Sequence, residues 1–292
     1  MMDLHIEMYR LLDNDVNIQS GYNKIGLASC AITWADDLAI PVVVEDNEQL
    51  VPTITDLTAK IYHAFENRGL LLNLGKGKTA AVLAFRGAGA TAHRQRYLLT
   101  ARPGAQVHLR NDRVVWLNFN CSYRHLGTIY VPDGEVHCEA MGRLGQARTA
   151  FVQMKRALFG NRHLAIRTRL RLFESLIVSR LCYGISTWGH IPSKTTERVE
   201  AFLYRCFRYI SGAPINGGIS NDAIHGNFGL PSLQQRLSFA RIAYAIRVWS
   251  VGPETLRTTL NVEHEEIPTA WWCYLLEDLK WCREVAGSPF SS

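Results

Sequence analysis

No run of about 18 uncharged apolar residues occurs in these 292 residues, so nothing reads as a membrane-spanning helix. The opening Met1-Met2-Asp3-Leu4-His5-Ile6-Glu7 lacks the basic-then-apolar order of a signal peptide, and an intracellular protein, nuclear or cytoplasmic, is expected. No cysteine stands in a CxxC pair. The seven (Cys30, Cys121, Cys138, Cys182, Cys206, Cys273, Cys282) are odd in number and scattered, which fits reduced thiols better than a disulfide framework. His264, Cys273 and Cys282 match no zinc-ligand spacing, so buried thiols are the expected state there. A full phosphate-cradle motif is lacking too. G-x-x-x-x-G-K-[ST] ending on Gly77-Lys78-Thr79 needs a glycine at position 72, which is Leu72, leaving a polar turn as the plain reading. No internal repeat is visible. With 47% hydrophobic residues and a mean hydropathy of −0.06 the chain is not of disordered type, and its length allows two compact units.

What the chain does have is basic charge in one place. The net charge is +6, but Arg94 to Cys182 alone holds fourteen Arg and one Lys against five acids. From Val251 to Ser292 three basic residues face seven acidic ones. An Arg-rich middle is the footprint expected for a phosphate backbone, although such residues also solvate ordinary helix faces.

Periodicity divides the sequence. Asp46 is a candidate cap ahead of Leu50, Ile54, Leu57, Ile61 and Phe65, a helical stripe that Arg68 and Gly69 close. Pro52 is awkward inside it, so this helix is expected to start near Val51 or to kink there. Leu70–Leu74 and Ala80–Phe85 read as short strands, as do segments around 97–100, 106–109, 113–117 and 123–131. After Pro132-Asp133-Gly134 the pattern becomes helical: Met141, Leu144, Ala147, Phe151, Met154 and Leu158, then Ile166, Leu170, Phe173, Ile177 and Leu181. Further helices are expected at about 194–211, 232–250 and 269–285. The division is placed near residue 133, with an α+β half before it and an all-helical half after it.

One stretch is chemically odd. Apolar residues from Cys30 run into Ala35-Asp36-Asp37 and a second apolar run leads out to Val44, which reads as strand, tight turn, strand. Two-residue hairpin turns favour Asn-Gly or Asp-Gly, because their backbones reach positive φ. A second carboxylate there crowds two like charges, which costs free energy unless a cation neutralises them. A solvated acidic turn and a cation site both satisfy this pattern.

Trp34-Ala35-Asp36-Asp37 between apolar runs resembles the Tyr/Phe-Ala-Asp-Asp box of reverse transcriptases. Gly69-Leu70-Leu71-Leu72-Asn73 through Lys78-Thr79 is similar to the Gly-Leu-x-Leu-Asn…Lys-Thr segment of non-LTR retrotransposon polymerases. Tyr123-Arg124-His125-Leu126-Gly127 resembles the aromatic-x-x-Leu-Gly hairpin with which those enzymes grip a primer end. Leu181-Cys182-Tyr183-Gly184 through Trp188 looks like a recurring segment at and after their thumb. These boxes lie in register over about 27–190, and the chain is identified as resembling a non-LTR (LINE-type) reverse transcriptase.

The resemblance implies an α+β fold: a partial polymerase palm (antiparallel sheet with a packed helix) over 1–133, a helical thumb over 134–215 and a helical C-terminal extension over 216–292. It implies RNA-directed DNA polymerisation by two-metal nucleotidyl transfer with Mg²⁺ or Mn²⁺, on an RNA template with a DNA primer and dNTPs. Carboxylates would clamp ions about 4 Å apart around attacking and leaving oxygens. Asp36 and Asp37 would be the catalytic and metal carboxylates, and Lys78 a contact to triphosphate or pyrophosphate. Tyr123, Leu126 and Gly127 would position the primer. Arg143, Arg148, Lys155, Arg156, Arg162, Arg167, Arg169 and Arg171 would contact backbone phosphates. Two departures stand out. Trp34 replaces Tyr or Phe, and Asp3, Asp13 and Asp15 do not fit the apolar-x-Asp-x-x-x-aromatic-Asp box that the family places upstream. The expectation is therefore a catalytically incomplete palm–thumb fragment, with a non-enzymatic nucleic-acid-binding remnant using the Arg-rich middle as the alternative.

Overall fold

The computed structural model describes residues 32–34, 37–40, 42, 44–125, 127–132, 134–213, 220, 223, 226, 228–265 and 270–286, with 32–34, 37, 38, 125, 255, 259, 262–265, 270, 285 and 286 given by backbone alone. The protein is α+β and divides into two units, Met1–Tyr123 and Arg124–Ser292.

In the first unit, β1 (Ile32–Trp34) pairs antiparallel with β2 (Asp37–Ala39), matching Trp34 to Asp37 and Ile32 to Ala39. Helix α1 (Asn47–Glu66) begins earlier than Pro52 suggested. Asp46 caps it by accepting a hydrogen bond from the Glu48 N–H at 3.0 Å. Pro52 sits inside the helix, and Thr55 Oγ1 donates to the Val51 and Pro52 carbonyls at 3.0 and 2.9 Å. The helix closes as expected, with Gly69 at φ +69° and the Leu70 N–H donating to the Phe65 carbonyl.

Three strands follow: β3 (Ala80–Val82), β4 (Gly104–His108) and β5 (Val114–Asn120), in sheet order β3-β5-β4. β4 is antiparallel to β5, whereas β3 is parallel to it, so the sheet is mixed and not antiparallel as expected. The reason is connectivity. Helix α2 (Ala90–Tyr97) carries the chain from β3 before it enters the β4–β5 hairpin.

The expected strand around 97–100 is absent, because Tyr97 ends α2 and stacks with Phe85 and His93 in the core. The expected strand Leu70–Leu74 is also absent. Leu72 and Leu74 pack on the core from an irregular segment that Thr79 closes by donating to the Asn73 carbonyl at 3.0 Å. α1 packs against β4, and Leu50, Tyr62, Phe85, Val107, Leu117 and Phe119 form the buried centre.

β6 (Tyr123–His125), whose first residue closes the first unit, pairs with β7 (Thr128–Tyr130), and the second unit then becomes helical. α3 (His137–Met154) runs on through a π turn, Lys155–Phe159. α4 (Ile166–Phe173) does the same through Glu174–Val178 to Leu181. Each π turn inserts a residue into the helical repeat and so rotates the apolar face. Here the shift brings Phe159 beside Phe151 (5.0 Å between ring centroids) and Phe173. α5 (Ser193–Ser211), α6 (Leu233–Val251), α7 (Glu254–Glu265) and α8 (Ala270–Ala286) complete the unit. Among the described residues, α2 and α7 are the helices that periodicity did not anticipate.

Two boundaries differ from expectation. The division falls after Tyr123 rather than near 133, because β7 and its turn are bonded into α3. Leu233 and Leu237, placed after 216 in the expected extension, belong to the same core as Phe173, Leu203 and Phe207, whereas Ala245, Val248, Leu260, Trp272 and Leu275 form a separate cluster.

Candidate nucleic-acid site

The strands before and after Ala35-Asp36, β1 and β2, pair antiparallel. Asp36 lies outside the described residues, and so does Leu126. Asp37 is the first residue of β2, paired with Trp34. Lys78 is exposed, at the end of a turn in which its N–H donates to the Gly75 carbonyl at 3.1 Å. Its own carbonyl accepts from the Tyr123 hydroxyl at 3.3 Å. Two residues singled out separately, 45 positions apart, are thus in contact.

The β6–β7 turn is fixed from α3. Gly127 sits at φ +85°, which glycine adopts without strain. Its carbonyl accepts from Arg143 Nη2 at 2.6 Å. The Ile129 N–H donates to Glu139 Oε2 at 2.7 Å, and Arg143 Nε donates to Glu139 Oε1 at 2.6 Å. Glu139 and Arg143 are 4% and 6% exposed, so this ion pair is dry. The Arg143 guanidinium also lies 4.3 Å from the Tyr183 ring centroid. Gly127 and Tyr183, which belong to two separate sequence boxes, thus meet one buried arginine together with Glu139.

Arg143 is therefore removed from the phosphate-contact set: its donors are directed at Glu139 and Gly127, out of solvent. Arg169 is removed for the same reason, since its Nη1 donates to the Phe159 and Ile210 carbonyls at 3.2 and 2.7 Å and ties α4 to α5. Arg148, Lys155, Arg156, Arg162, Arg167 and Arg171 are exposed. Lys155 Nζ lies 4.6 Å from the Tyr209 ring centroid, which steers its stem along the helix surface. Arg167 and Arg171, one turn apart on α4, border an open cleft of about 640 Å³ that Leu170, Phe228 and Leu230 also line. Glu174 in that cleft is held by a two-pronged pair to Arg236 at 2.7 and 2.9 Å.

Among the described residues no three His, Cys, Asp or Glu side chains stand together as a metal cage. Mg²⁺ does not demand one: it keeps several waters and takes one or two carboxylates plus phosphate oxygens. The adjacent carboxylates of the Ala-Asp-Asp box are hard oxygen donors of the kind it prefers. The thiol reading needs correction at Cys273, which is exposed where burial was expected; Cys121 and Cys138 are exposed as well. Glu139, which anchors the hairpin, was missed. Its signal was the i,i+4 spacing to Arg143. No protein-family model, curated protein or solved structure matches the chain.

Proposed function

We propose that this chain is the palm–thumb portion of a non-LTR reverse transcriptase, binding a primer–template and incomplete for polymerisation by itself. The observation that carries the reading is the pairing of β1 with β2, which puts Ala35-Asp36 alone between paired strand residues. That is the shape a two-carboxylate box needs. Two adjacent carboxylates repel one another, and a bound cation would offset that repulsion. Bound Mg²⁺ or Mn²⁺ would supply Lewis-acid stabilisation of the charge that develops in nucleotidyl transfer. Asp36 and Asp37 would hold the ion.

The remaining roles fall to groups seen in the structure. Gly127, fixed by Arg143 and followed by the Glu139-anchored Ile129, gives the β6–β7 turn the rigidity that positioning a primer end requires. Exposed Arg148, Lys155, Arg156, Arg162, Arg167 and Arg171 would neutralise backbone phosphates. Lys78, exposed beside Tyr123, is the cation offered to a triphosphate.

Primer extension on poly(A)/oligo(dT) with Mg²⁺ or Mn²⁺ tests the proposal. The expected result is salt-sensitive binding of the primer–template without extension, since no aspartate before Ala35 fits the upstream box. Robust extension abolished by Asp36→Ala would overturn the incompleteness, and absence of binding would overturn the whole reading. The exposed cations equally favour a second reading, a nucleic-acid-binding remnant. It predicts the same salt dependence with no effect of divalent metal on binding.

A further inference from the structure

The three-stranded sheet buries one face deeply and leaves the other part-exposed. Val107, Leu117 and Phe119 enter the core beneath α1. Strand alternation then sends Gln106 and His108 of β4, and Val114 and Trp116 of β5, to the opposite face. There the register sets Gln106 beside Trp116 and His108 beside Val114, and Gln106, His108 and Val114 are exposed.

Trp116 is seated tightly. A Cβ on Gly104 would stand 2.5 Å from the indole Nε1 and 2.4 Å from the Leu117 carbonyl oxygen, so the ring occupies the space a side chain there would need. Gly104 also has φ +150°, which other residues rarely adopt. Over the ring, the guanidinium of exposed Arg102 lies 4.2 Å from the centroid. Glycine, indole and guanidinium thus make a stack on a solvent-facing sheet. A planar cation held over an indole is already ordered and offers a surface for a further flat group.

The charge of the sequence that forms the sheet says what kind of flat group. Residues 67–123 carry nine Lys and Arg against one acid, Asp112, and of the nine Arg113 is tied to Glu66. A surface combining a stacking plane with a strong cationic excess matches unpaired bases on a phosphate backbone. We propose that this sheet face binds a single-stranded polynucleotide. One base stacks on the Arg102–Trp116 pair and its neighbour meets His108. The Gln106 amide lies at the base edge, and the cations of 67–123 hold the phosphates. A duplex cannot use this surface fully, because its bases are stacked on one another. The site needs neither Asp36 nor a metal ion, so it stands or falls separately from the polymerase reading.

The test is fluorescence anisotropy with the full chain in EDTA, using a labelled mixed-sequence oligonucleotide of about 12 nucleotides. It is offered as single strand and as duplex. Tighter binding of the single strand is expected. Trp116→Ala should weaken that binding by about tenfold while changing duplex binding little. Arg102→Gln should also weaken it and lower the salt slope by about one. Trp116→Phe, which keeps an aromatic plane, should retain most of the affinity. Should Trp116→Ala fail to fold, the surface substitution Arg102→Gln and the conservative Trp116→Phe decide the matter. Unchanged single-strand affinity in Arg102→Gln, or equal losses for single strand and duplex, would overturn the proposal.

Discussion

Removing Glu139 is the sharpest perturbation of the helical unit. Its two carboxylate oxygens accept from the Ile129 N–H and from Arg143 Nε, so Glu139→Ala strands a backbone donor and a buried cation together. Arg143 is 6% exposed and cannot turn to water without breaking its bond to the Gly127 carbonyl and its contact with Tyr183. Breaking a buried ion pair by deleting one partner costs about 3–5 kcal/mol. The orphaned N–H, at about 1–3 kcal/mol, overlaps with that figure because both desolvation terms arise at one site. About 4 kcal/mol is a large share of the ~5–15 kcal/mol that folds a domain.

In urea, with an m-value of about 2 kcal/mol/M, the midpoint should fall by about 2 M, read by far-UV circular dichroism. Hydrogen exchange at the Ile129 amide should accelerate more than exchange in α5. Thr149→Ala, an exposed change on the same helix, should shift stability by less than about 0.5 kcal/mol. A loss below about 1 kcal/mol for Glu139→Ala, with the Ile129 amide still protected, would refute the claim that this carboxylate fixes the hairpin.

A second buried pair makes a related prediction. Asp278 accepts from Arg241 Nε at 2.5 Å and from Ser238 Oγ at 2.5 Å, while Arg241 Nη1 donates to the Trp188 carbonyl. Asp278→Ala should therefore cost about 3–5 kcal/mol, and the double change Arg241→Met with Asp278→Leu should recover more than half of it in the same urea assay. Burial pushes the Cys182 thiol up from 9.0 to about 11 and the Cys206 thiol up to about 12. The folded protein then holds these protons more tightly than the unfolded chain does. Stability from this source is complete below pH 9 and falls as pH rises toward 11–12. At neutral pH iodoacetamide should label exposed Cys121, Cys138 and Cys273 well before Cys182 and Cys206, as peptide mass spectrometry would show.

The helices were legible because their apolar residues repeat with one period and their caps are local. Asp46 and Gly69 both act at the ends the sequence assigned them. Short apolar runs were not legible. Leu70–Leu74 and Tyr97–Thr100 have strand composition, yet Tyr97 gains more by completing an aromatic stack with Phe85 and His93 at the end of α2. The parallel placement of β3 depends on a crossover through α2 that no local pattern encodes. In the basic region, composition marks the charge but not its direction. Arg143 and Arg169 differ from Arg148 and Arg171 only in which side of a helix they occupy, and the π turns of α3 and α4 shift that side in mid-helix. The contact between Lys78 and Tyr123 is likewise a product of tertiary folding.

The central claim, that Ala35-Asp36-Asp37 is a metal site serving a nucleic-acid substrate, is tested most directly by electron paramagnetic resonance titration of Mn²⁺ into the full chain with bound primer–template. The account predicts saturable Mn²⁺ binding that weakens by about tenfold or more in Asp36→Asn and in Asp37→Asn. Mn²⁺ binding that is absent in the parent chain, or unchanged in both variants, would contradict it.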